Sequence, residues 1–247
     1  MTWAVLGDSV TGTSHRMRDT RCQDAHRYRS LGPAGEWLVI AVADGAGSAS
    51  HSEAGAALAC EEFVRRVEAI GPAGLLESGA MTALFGDVRA ALIAEAKRLE
   101  LRPREMACTA LLAIIGPECA ATAQLGDGGI VFGDGQDYRV AFWPEPVEYA
   151  NATDFLTDDQ FADAVRFETT TTPVSEIALL TDGLQRLALD FTTKTPHTAF
   201  FAPLFKEVRT ASDPSSLAEP FRAFLDSPRV NERTDDDKTL VIAVRRP

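Results

Sequence analysis

The sequence predicts an α+β fold in which sheets and helices form separate layers. Apolar runs typical of β-strands arrive in succession, and two consecutive helical patterns stand between the first group of strands and the second. This order differs from the strict alternation of strand and helix that predicts a parallel sheet. With 247 residues, of which 45% are hydrophobic, the chain can bury a full core, and we expect one domain over residues 1–247.

The first elements along the chain are three strands followed by two helices. Strand patterns cover residues 2–6, 25–29 and 37–43. A polar loop over residues 8–24 and a Gly-Pro turn separate them. Ser52 suits an N-cap, and apolar residues then recur at helical spacing until Gly71-Pro72 ends the helix. A second apolar stripe predicts a helix from about Met81 to Leu99, with one face packed onto a sheet.

The second half of the chain returns to strands. Strand patterns cover residues 108–115, 120–125, 129–132, 138–142, 177–181 and 239–244. Gly133-Asp134-Gly135 is a hairpin signal between two of them. Residues 144–172 show no sustained period, so we expect an irregular segment there. Short helical patterns cover residues 183–189, 198–209 and 215–225.

Composition argues against several classes of protein. The net charge of −12 disfavours a nucleic-acid-binding surface, because such surfaces neutralise phosphates with clustered Lys and Arg. The four cysteines show no CxxC pairing, which favours free thiols in a reducing compartment. The N-terminus has no signal-peptide pattern, and no apolar run is long enough to cross a bilayer. We therefore expect a cytoplasmic protein without a membrane partner.

Acidic residues stand where apolar strands end. Asp44, Asp127 and Asp182 each follow a strand and precede glycine, and the triplet Asp235-Asp236-Asp237 precedes the last strand. A carboxylate at the mouth of a buried strand loses hydration and needs compensation. Several such groups together form a site for hard divalent cations, so the pattern predicts a magnesium or manganese enzyme.

Each acidic residue also has a simpler interpretation. Aspartate and glycine are common in turns after strands. Gly126-Asp127-Gly128-Gly129 would equally serve as a hairpin turn. Asp235 and Asp237 could be solvated neighbours of a single ligand, with Asp236 as our choice from its spacing to Thr239.

Taken together, the motifs resemble those of a known family. The ordered series is Gln23-Asp24-Ala25, Ala43-Asp44-Gly45-Ala46-Gly47, Gly126-Asp127-Gly128, Leu180-Thr181-Asp182-Gly183-Leu184 and Asp236-Asp237-Lys238-Thr239. It resembles the motif series of the metal-dependent type 2C (PPM-type) serine/threonine protein phosphatases, most of all their compact bacterial branch. A single Asp-Gly is a weak signal, but five motifs in this order across nearly the whole chain are specific.

The resemblance implies a fold, a metal centre and a reaction. The fold would be a four-layer α-β-β-α sandwich with the centre at one edge. The metal ligands would be Asp24, Asp44, Gly45, Asp127, Asp182 and Asp236. Asp44 would bridge two Mg²⁺ or Mn²⁺ ions, Asp24 would act through water, and Asp127 would belong to an additional, third site. Metal-activated water would then hydrolyse phosphoserine and phosphothreonine esters, with Asp44, Asp182 and Asp236 as the catalytic aspartates.

The chain departs from the family pattern at three positions. Ala46 stands where eukaryotic members carry a histidine, Asp19 stands where the family has a phosphate-binding arginine, and Gln23 replaces the usual glutamate. His15 and His51 are the candidates for the missing general acid. Candidates for the phosphate-binding cation are His15, Arg16, Arg18 and Arg21, with His15, Arg18 and Arg21 preferred.

Partners follow from this reading. Phosphorylated proteins would be substrates, together with a cognate Ser/Thr kinase or its targets, and we expect neither nucleic acid nor membrane. The missing arginine and histidine keep one alternative open, a catalytically weak regulatory or phosphopeptide-binding module on the same fold. A metal-dependent nuclease is disfavoured by the negative charge.

Overall fold

Two five-stranded antiparallel sheets form the centre of the fold in the computed structural model, which describes residues 2–144 and 153–246. The strands are β1 (Thr2–Val10), β2 (Ala25–Leu31), β3 (Trp37–Ala43), β4 (Ala110–Ile115), β5 (Ala120–Leu125), β6 (Gly129–Gly133), β7 (Tyr138–Val140), β8 (Arg166–Thr170), β9 (Glu176–Leu180), β10 (Leu189–Asp190), β11 (Thr195–Pro196) and β12 (Lys238–Arg246). The first sheet has the order β1-β12-β9-β6-β7 and the second β2-β3-β4-β5-β8, while β10 pairs with β11 alone.

Helices cover the outer side of each sheet. They are α1 (Thr13–Met17), α2 (Ser52–Ile70), α3 (Ser78–Arg98), α4 (Phe161–Ala164), α5 (Gln185–Ala188), α6 (Thr198–Thr210), α7 (Ala218–Leu225) and α8 (Pro228–Asn231). Four short 3-10 turns lie at Pro72–Leu75, Pro103–Met106, Asp182–Leu184 and Pro214–Leu217. Helices α2 and α3 pack on the second sheet, and α6 and α7 pack on the first. None of the described helices has the length and apolarity needed to cross a bilayer.

The central strands are buried on both faces. In β3, Leu38, Ile40 and Val42 point into the layer between the sheets, where they join apolar residues of β9 and β12. Val39 and Ala41 alternate with them and face α2 and α3. Because both faces of such a strand meet apolar layers, its sequence is an unbroken apolar run. The predicted α+β class and the four-layer sandwich are confirmed.

The N-terminal region is more ordered than predicted. Strand β1 continues to Val10, because it pairs with β12 over its whole length, from Thr2 opposite Arg246 to Val10 opposite Lys238. Helix α1 then forms inside the stretch that the sequence assigned to a polar loop. The long partner strand, which is distant in the sequence, therefore decides where β1 ends.

The connection after β5 is a crossover between the sheets. The alternative prediction of a hairpin at Gly126–Gly129 is wrong, because β5 belongs to the second sheet and β6 to the first. Gly126 and Gly128 adopt φ values of 81° and 98°, which residues with a Cβ rarely adopt. The hairpin between β6 and β7 forms as predicted, with Val131 opposite Val140.

The segment predicted to be irregular contains two short elements. Helix α4 and strand β8 lie within residues 144–172, and β8 extends the second sheet beyond β5. Residues 145–152 of this segment lie outside the described residues.

The antiparallel pairing brings several strand ends to one edge of the sandwich. Ala25 at the start of β2 is opposite Ala43 at the end of β3. Leu240 near the start of β12 is opposite Leu180 at the end of β9. The acidic residues that adjoin these strand ends are therefore collected from both sheets at the same edge.

Candidate metal centre

Three carboxyl groups meet at this edge, of which Asp24 is buried and Asp44 and Asp182 are partly buried. The carboxyls of Asp44 and Asp182 lie close enough to perturb each other's pKa, and the charge of Asp24 also raises the pKa of Asp44. Burial is the main cause of the raised pKa at all three groups, and it brings the pKa of Asp182 to about 6. Loss of hydration and mutual repulsion both disfavour the charged forms, so the cluster gains stability from a cation.

Asp24 is held by hydroxyl groups from the opposite sheet. Its Oδ2 accepts hydrogen bonds from Thr181 Oγ1 at 2.8 Å and from Thr239 Oγ1 at 2.9 Å. Its Oδ1 is buried and has no hydrogen-bond partner among the described residues. The two threonines fix the orientation of the carboxyl and leave one oxygen available.

The backbone around Asp44 is fixed by the neighbouring segments. Its amide donates to Thr109 Oγ1 at 2.9 Å, and the Thr109 amide donates back to the Asp44 carbonyl at 2.8 Å. Gly45 follows, and a Cβ at this position would lie 2.7 Å from the Gln23 carbonyl and 2.8 Å from Ser52. Glycine is therefore required by close packing, and the tight approach aligns Asp44 with the segment that carries Asp24.

Asp127 stands on the crossover between the sheets, beside the cluster. Burial raises its pKa, and its charge contributes to the raised pKa of both Asp182 and Asp44. The carbonyl of Gly128 accepts a hydrogen bond from Gln185 at 2.7 Å, which anchors the turn. The structure thus brings Asp127 to the same region as the other predicted ligands.

The acidic triplet divides into three environments. Asp237 is 3% exposed, and it accepts backbone hydrogen bonds from Gly12 at 2.7 Å and from Gln23 at 2.6 Å. The interpretation of Asp237 as a solvated neighbour is therefore wrong. Asp236 has a half-exposed side chain, and Asp235 is exposed. The charge of Asp236 acts on Asp182 and Asp127, whereas the charge of Asp237 acts on Asp24.

His15 lies between this triplet and solvent. Its Nδ1 lies 2.8 Å from Asp237 Oδ2, and its Nε2 lies 4.0 Å from Asp236 Oδ1. His51 occupies the N-cap of α2, with Nδ1 2.9 Å from the hydroxyl of Ser50. Of the two histidines proposed from the sequence, His15 is the one in contact with the acidic triplet.

The three arginines of the same loop have different environments. Arg16 forms a bidentate ion pair with Asp226, at 2.9 and 2.6 Å. Arg18 and Arg21 are exposed, and neither forms an ion pair or hydrogen bond through its side chain within the described residues. Arg16 is therefore committed to a structural contact, whereas Arg18 and Arg21 remain available to a ligand.

The donor set fits a divalent cation. Among the described residues, no three acidic, Cys or His side chains already stand in ligand geometry around one point. Oδ1 of Asp24 and Oδ1 of Asp182 are nevertheless buried oxygens without a hydrogen-bond donor in the described part of the chain. The Gly45 carbonyl also takes no part in the two backbone hydrogen bonds that flank the pairing of Gly45 with Cys108. Carboxylate and carbonyl oxygens of this kind suit Mg²⁺ or Mn²⁺.

Known proteins share the sequence pattern and the fold of this chain. The sequence matches the protein phosphatase 2C family over residues 11–225. It is 39% identical over 252 residues to serine/threonine-protein phosphatase 3 of Escherichia coli (strain K12), with 99% of each chain covered. The fold is similar to that of the serine/threonine phosphatase Stp1 from Staphylococcus aureus, with a TM-score of 0.69, 14% identity, and 100% of this chain and 96% of that chain covered.

A second solved structure has the same fold. PppA, described as a key regulatory component of T6SS in Pseudomonas aeruginosa, gives a TM-score of 0.64 at 17% identity, with 99% of this chain and 98% of that chain covered. Both solved structures thus share the layered sandwich fold of this chain. The chain belongs to the protein phosphatase 2C family. The resemblance inferred from the motifs is confirmed.

Three site residues were not assigned a role from the sequence. Thr181 and Thr239 hold Asp24, and Asp237 anchors the loop that carries His15. Both threonines adjoin predicted ligands within the motifs, which was the available signal. Nothing in the triplet itself distinguishes Asp237 from its neighbours.

The raised pKa of Asp182 predicts a stabilising substitution in metal-free protein. A folded-state pKa of about 6, against an ordinary value of 3.8, means that Asp182 loses its contribution to stability as the pH rises through 6. In EDTA at pH 7.5, Asp182→Asn should therefore be more stable than wild type, by on the order of 1–3 kcal/mol. Thermal or urea unfolding at pH 5 and pH 7.5 measures this difference.

The quantity to follow is the difference in stability between Asp182→Asn and wild type, because wild type contains a second group that titrates in this range. Burial lowers the pKa of His26, so this histidine adds stability as the pH rises over the same range and partly offsets Asp182 in wild type. The gap between Asp182→Asn and wild type should widen from pH 5 to pH 7.5. A gap that is constant or reversed would contradict the assigned environment of Asp182.

The division of roles within the triplet predicts opposite effects at neighbouring positions. Asp237→Asn places an amide donor against a buried backbone amide, which should cost about 1–3 kcal/mol of unfolding free energy. Asp236→Asn serves as the matched control and should not lower stability, because its side chain is half-exposed and faces other acids. Urea unfolding in EDTA measures both, and equal stability of Asp237→Asn and wild type would contradict the anchoring role.

Proposed function

We propose that this protein is a metal-dependent phosphatase that hydrolyses phosphoserine and phosphothreonine esters of proteins. The observation that carries the proposal is the convergence of Asp24, Asp44 and Asp182 as buried or partly buried carboxyls at one edge of a protein phosphatase 2C sandwich. The 39% identity to a serine/threonine-protein phosphatase over the whole chain supports the same reaction.

The metal would be held by oxygen atoms from separate segments. The residues that would hold it are Asp44, the Gly45 carbonyl, Asp182 and Asp236. Asp24 would support the bound ion indirectly, and Asp127 would serve an additional ion. When bound, Mg²⁺ or Mn²⁺ supplies the Lewis acidity that lowers the pKa of water and neutralises charge on the phosphoryl oxygens. The raised pKa values of these carboxyls support this assignment.

The protein itself orients the groups around that centre. Thr181 and Thr239 hold Asp24 by neutral hydroxyls, which fix the carboxyl without cancelling its charge. His15 Nδ1 lies 2.8 Å from Asp237 Oδ2 and Nε2 lies 4.0 Å from Asp236 Oδ1, so the imidazole stands against the acidic triplet. We propose that His15 donates a proton from Nε2 to the leaving alkoxide or binds the phosphate.

Arg18 and Arg21 are proposed as phosphate-binding cations. Both belong to the loop of His15, and both are exposed and unpaired within the described residues. A guanidinium donates in a fork that fits two phosphate oxygens. Arg16 is excluded from this role by its bidentate pair with Asp226.

The physiological setting of the protein is proposed from its substrate class and from its cysteines. A cognate Ser/Thr kinase or its targets would supply the phosphoproteins. All four cysteines are free thiols, which are typical of a reducing compartment, so we propose the cytoplasm. A catalytically weak phosphopeptide-binding module would have the same fold. Measuring phosphopeptide hydrolysis distinguishes such a module from an enzyme.

Hydrolysis should depend on divalent metal and on Asp182. With Mn²⁺ the protein should release phosphate from a phosphothreonine peptide, and EDTA should abolish the activity. Asp182→Asn should reduce the rate by at least about 100-fold, since substitutions even in outer metal shells cost 10–100-fold. Glu95→Gln, on the outer face of α3, is a surface carboxylate control. Peptide binding without turnover in wild type would favour the binding module.

Removing either free arginine should weaken substrate binding more than turnover. Arg18→Ala and Arg21→Ala should each raise KM for a phosphopeptide by about 5-fold or more, because a charge-assisted contact to phosphate is lost. Arg98→Ala is the control, since Arg98 is equally exposed but pairs with Glu95 on α3. Steady-state kinetics at saturating Mn²⁺ measures both constants. Unchanged constants in both variants would remove these arginines from the site.

A further inference from the structure

A row of hydroxyl groups connects Asp24 to a surface cavity. Thr239 Oγ1, which contacts Asp24 Oδ2 at 2.9 Å, lies 2.7 Å from Ser9 Oγ. Ser9 Oγ in turn lies 2.9 Å from His26 Nδ1. The cavity has a volume of about 210 Å³ and is lined by Ser9, Ala25, His26, Arg27 and Ala57.

The donor and acceptor properties of these groups determine the direction of each hydrogen bond in the row. A carboxylate only accepts hydrogen bonds, and a hydroxyl has a single proton to donate. With Asp24 ionised, the proton of Thr239 is directed at Asp24, so Thr239 can only accept from Ser9. Ser9 then donates to Thr239 and accepts from Nδ1–H of His26. Each group has one role, and the row is fully satisfied.

The position of Ser9 is fixed by the sheet. Ser9 is directly opposite Thr239 in the pairing of β1 with β12, and its amide donates to Asp8 Oδ1 at 2.8 Å. Its hydroxyl therefore reaches Thr239 across the ladder without a flexible linker. Thr181 needs no such support, since its Oγ1 already accepts from the Thr239 amide at 2.9 Å. Ser9 supplies the corresponding restraint for the other threonine.

We propose that Ser9 is a positioning residue for the metal centre: its hydroxyl sets the rotamer of Thr239, and Thr239 in turn aims Asp24. The proposal rests on the proposed function, because it assigns Asp24 to the shell of the divalent metal. Without the Ser9 hydroxyl, Thr239 loses the donor that orients its hydroxyl group, and the direction of its hydrogen bond to Asp24 is less fixed. The consequence is weaker metal binding.

The experiment compares Ser9→Thr with Ser9→Val. The two side chains have nearly the same shape and both suit a β-strand, but only threonine keeps the hydroxyl. The cavity beside Ser9 offers room for the added methyl groups. Mn²⁺ affinity of the full-length protein is measured by isothermal titration calorimetry, which needs no catalytic activity. Ser9→Thr should bind as wild type does, whereas Ser9→Val should bind about 3–10-fold more weakly.

Further measurements distinguish failure of the positioning role of Ser9 from failure of the proposed function. Ser175→Ala is the control for loss of a seryl hydroxyl, because Ser175 bonds the Gly133 carbonyl at the far end of β9 from Asp182. Equal Mn²⁺ affinity of Ser9→Thr and Ser9→Val would overturn the positioning role even if wild type is an active phosphatase. Wild type that binds Mn²⁺ without hydrolysing phosphopeptide would overturn the proposed function and leave the affinity comparison valid.

A folding defect is recognised from melting curves in EDTA. If Ser9→Val does not fold, Ser9→Ala takes its place, since it removes the hydroxyl and adds no bulk to the strand. Ser9→Ala should also bind Mn²⁺ more weakly than Ser9→Thr. Equal affinity of these two variants would equally overturn the proposal.

Discussion

Repulsion between desolvated carboxyl groups is the constraint around which this edge of the molecule is organised. Asp24, Asp44 and Asp182 lose hydration, and the charges of acidic neighbours raise the pKa of each further. The groups that hold Asp24 are neutral threonine hydroxyls, and those that hold Asp237 are mainly backbone amides. Neutral donors fix the direction of a carboxylate and leave most of its charge uncompensated. The site therefore retains its attraction for a dication, which paired lysines or arginines would have cancelled.

The four-layer sandwich makes this concentration of charge tolerable. Asp44 leaves β3 of one sheet and Asp182 leaves β9 of the other, and the apolar layer between those strands holds the sheets at a fixed separation. The cost of keeping the two acids adjacent is thus met by burial of strands on both faces. Close approach adds to this, because a Cβ at Gly183 would lie 2.0 Å from the Asp237 carbonyl. The segment after β9 and the segment before β12 are therefore packed closely against each other.

The sequence was sufficient for the layers and for most of the acidic cluster, because both depend on local patterns. Apolar runs ending in Asp-Gly identified the strands that deliver Asp44 and Asp182. The role of Asp237 could not be predicted, since three identical residues differ only in what surrounds them, and the donors come from Gly12 and Gln23 more than 200 positions earlier. The crossover at Asp127 was ambiguous for a related reason, because a turn motif is the same whether its strands share a sheet or not.

Asp237 connects the segment proposed to hold metal with the segment proposed to bind the substrate phosphate. One carboxylate contacts the amides of Gly12 and Gln23 and the imidazole of His15, while its own backbone is continuous with Asp236. The residue proposed to hold metal and the loop proposed to meet the substrate phosphate are therefore joined by a single buried side chain. Short contacts from several donors to one buried carboxylate hold these two segments against each other. In this chain, the contact with Asp237 places His15 beside the acidic edge.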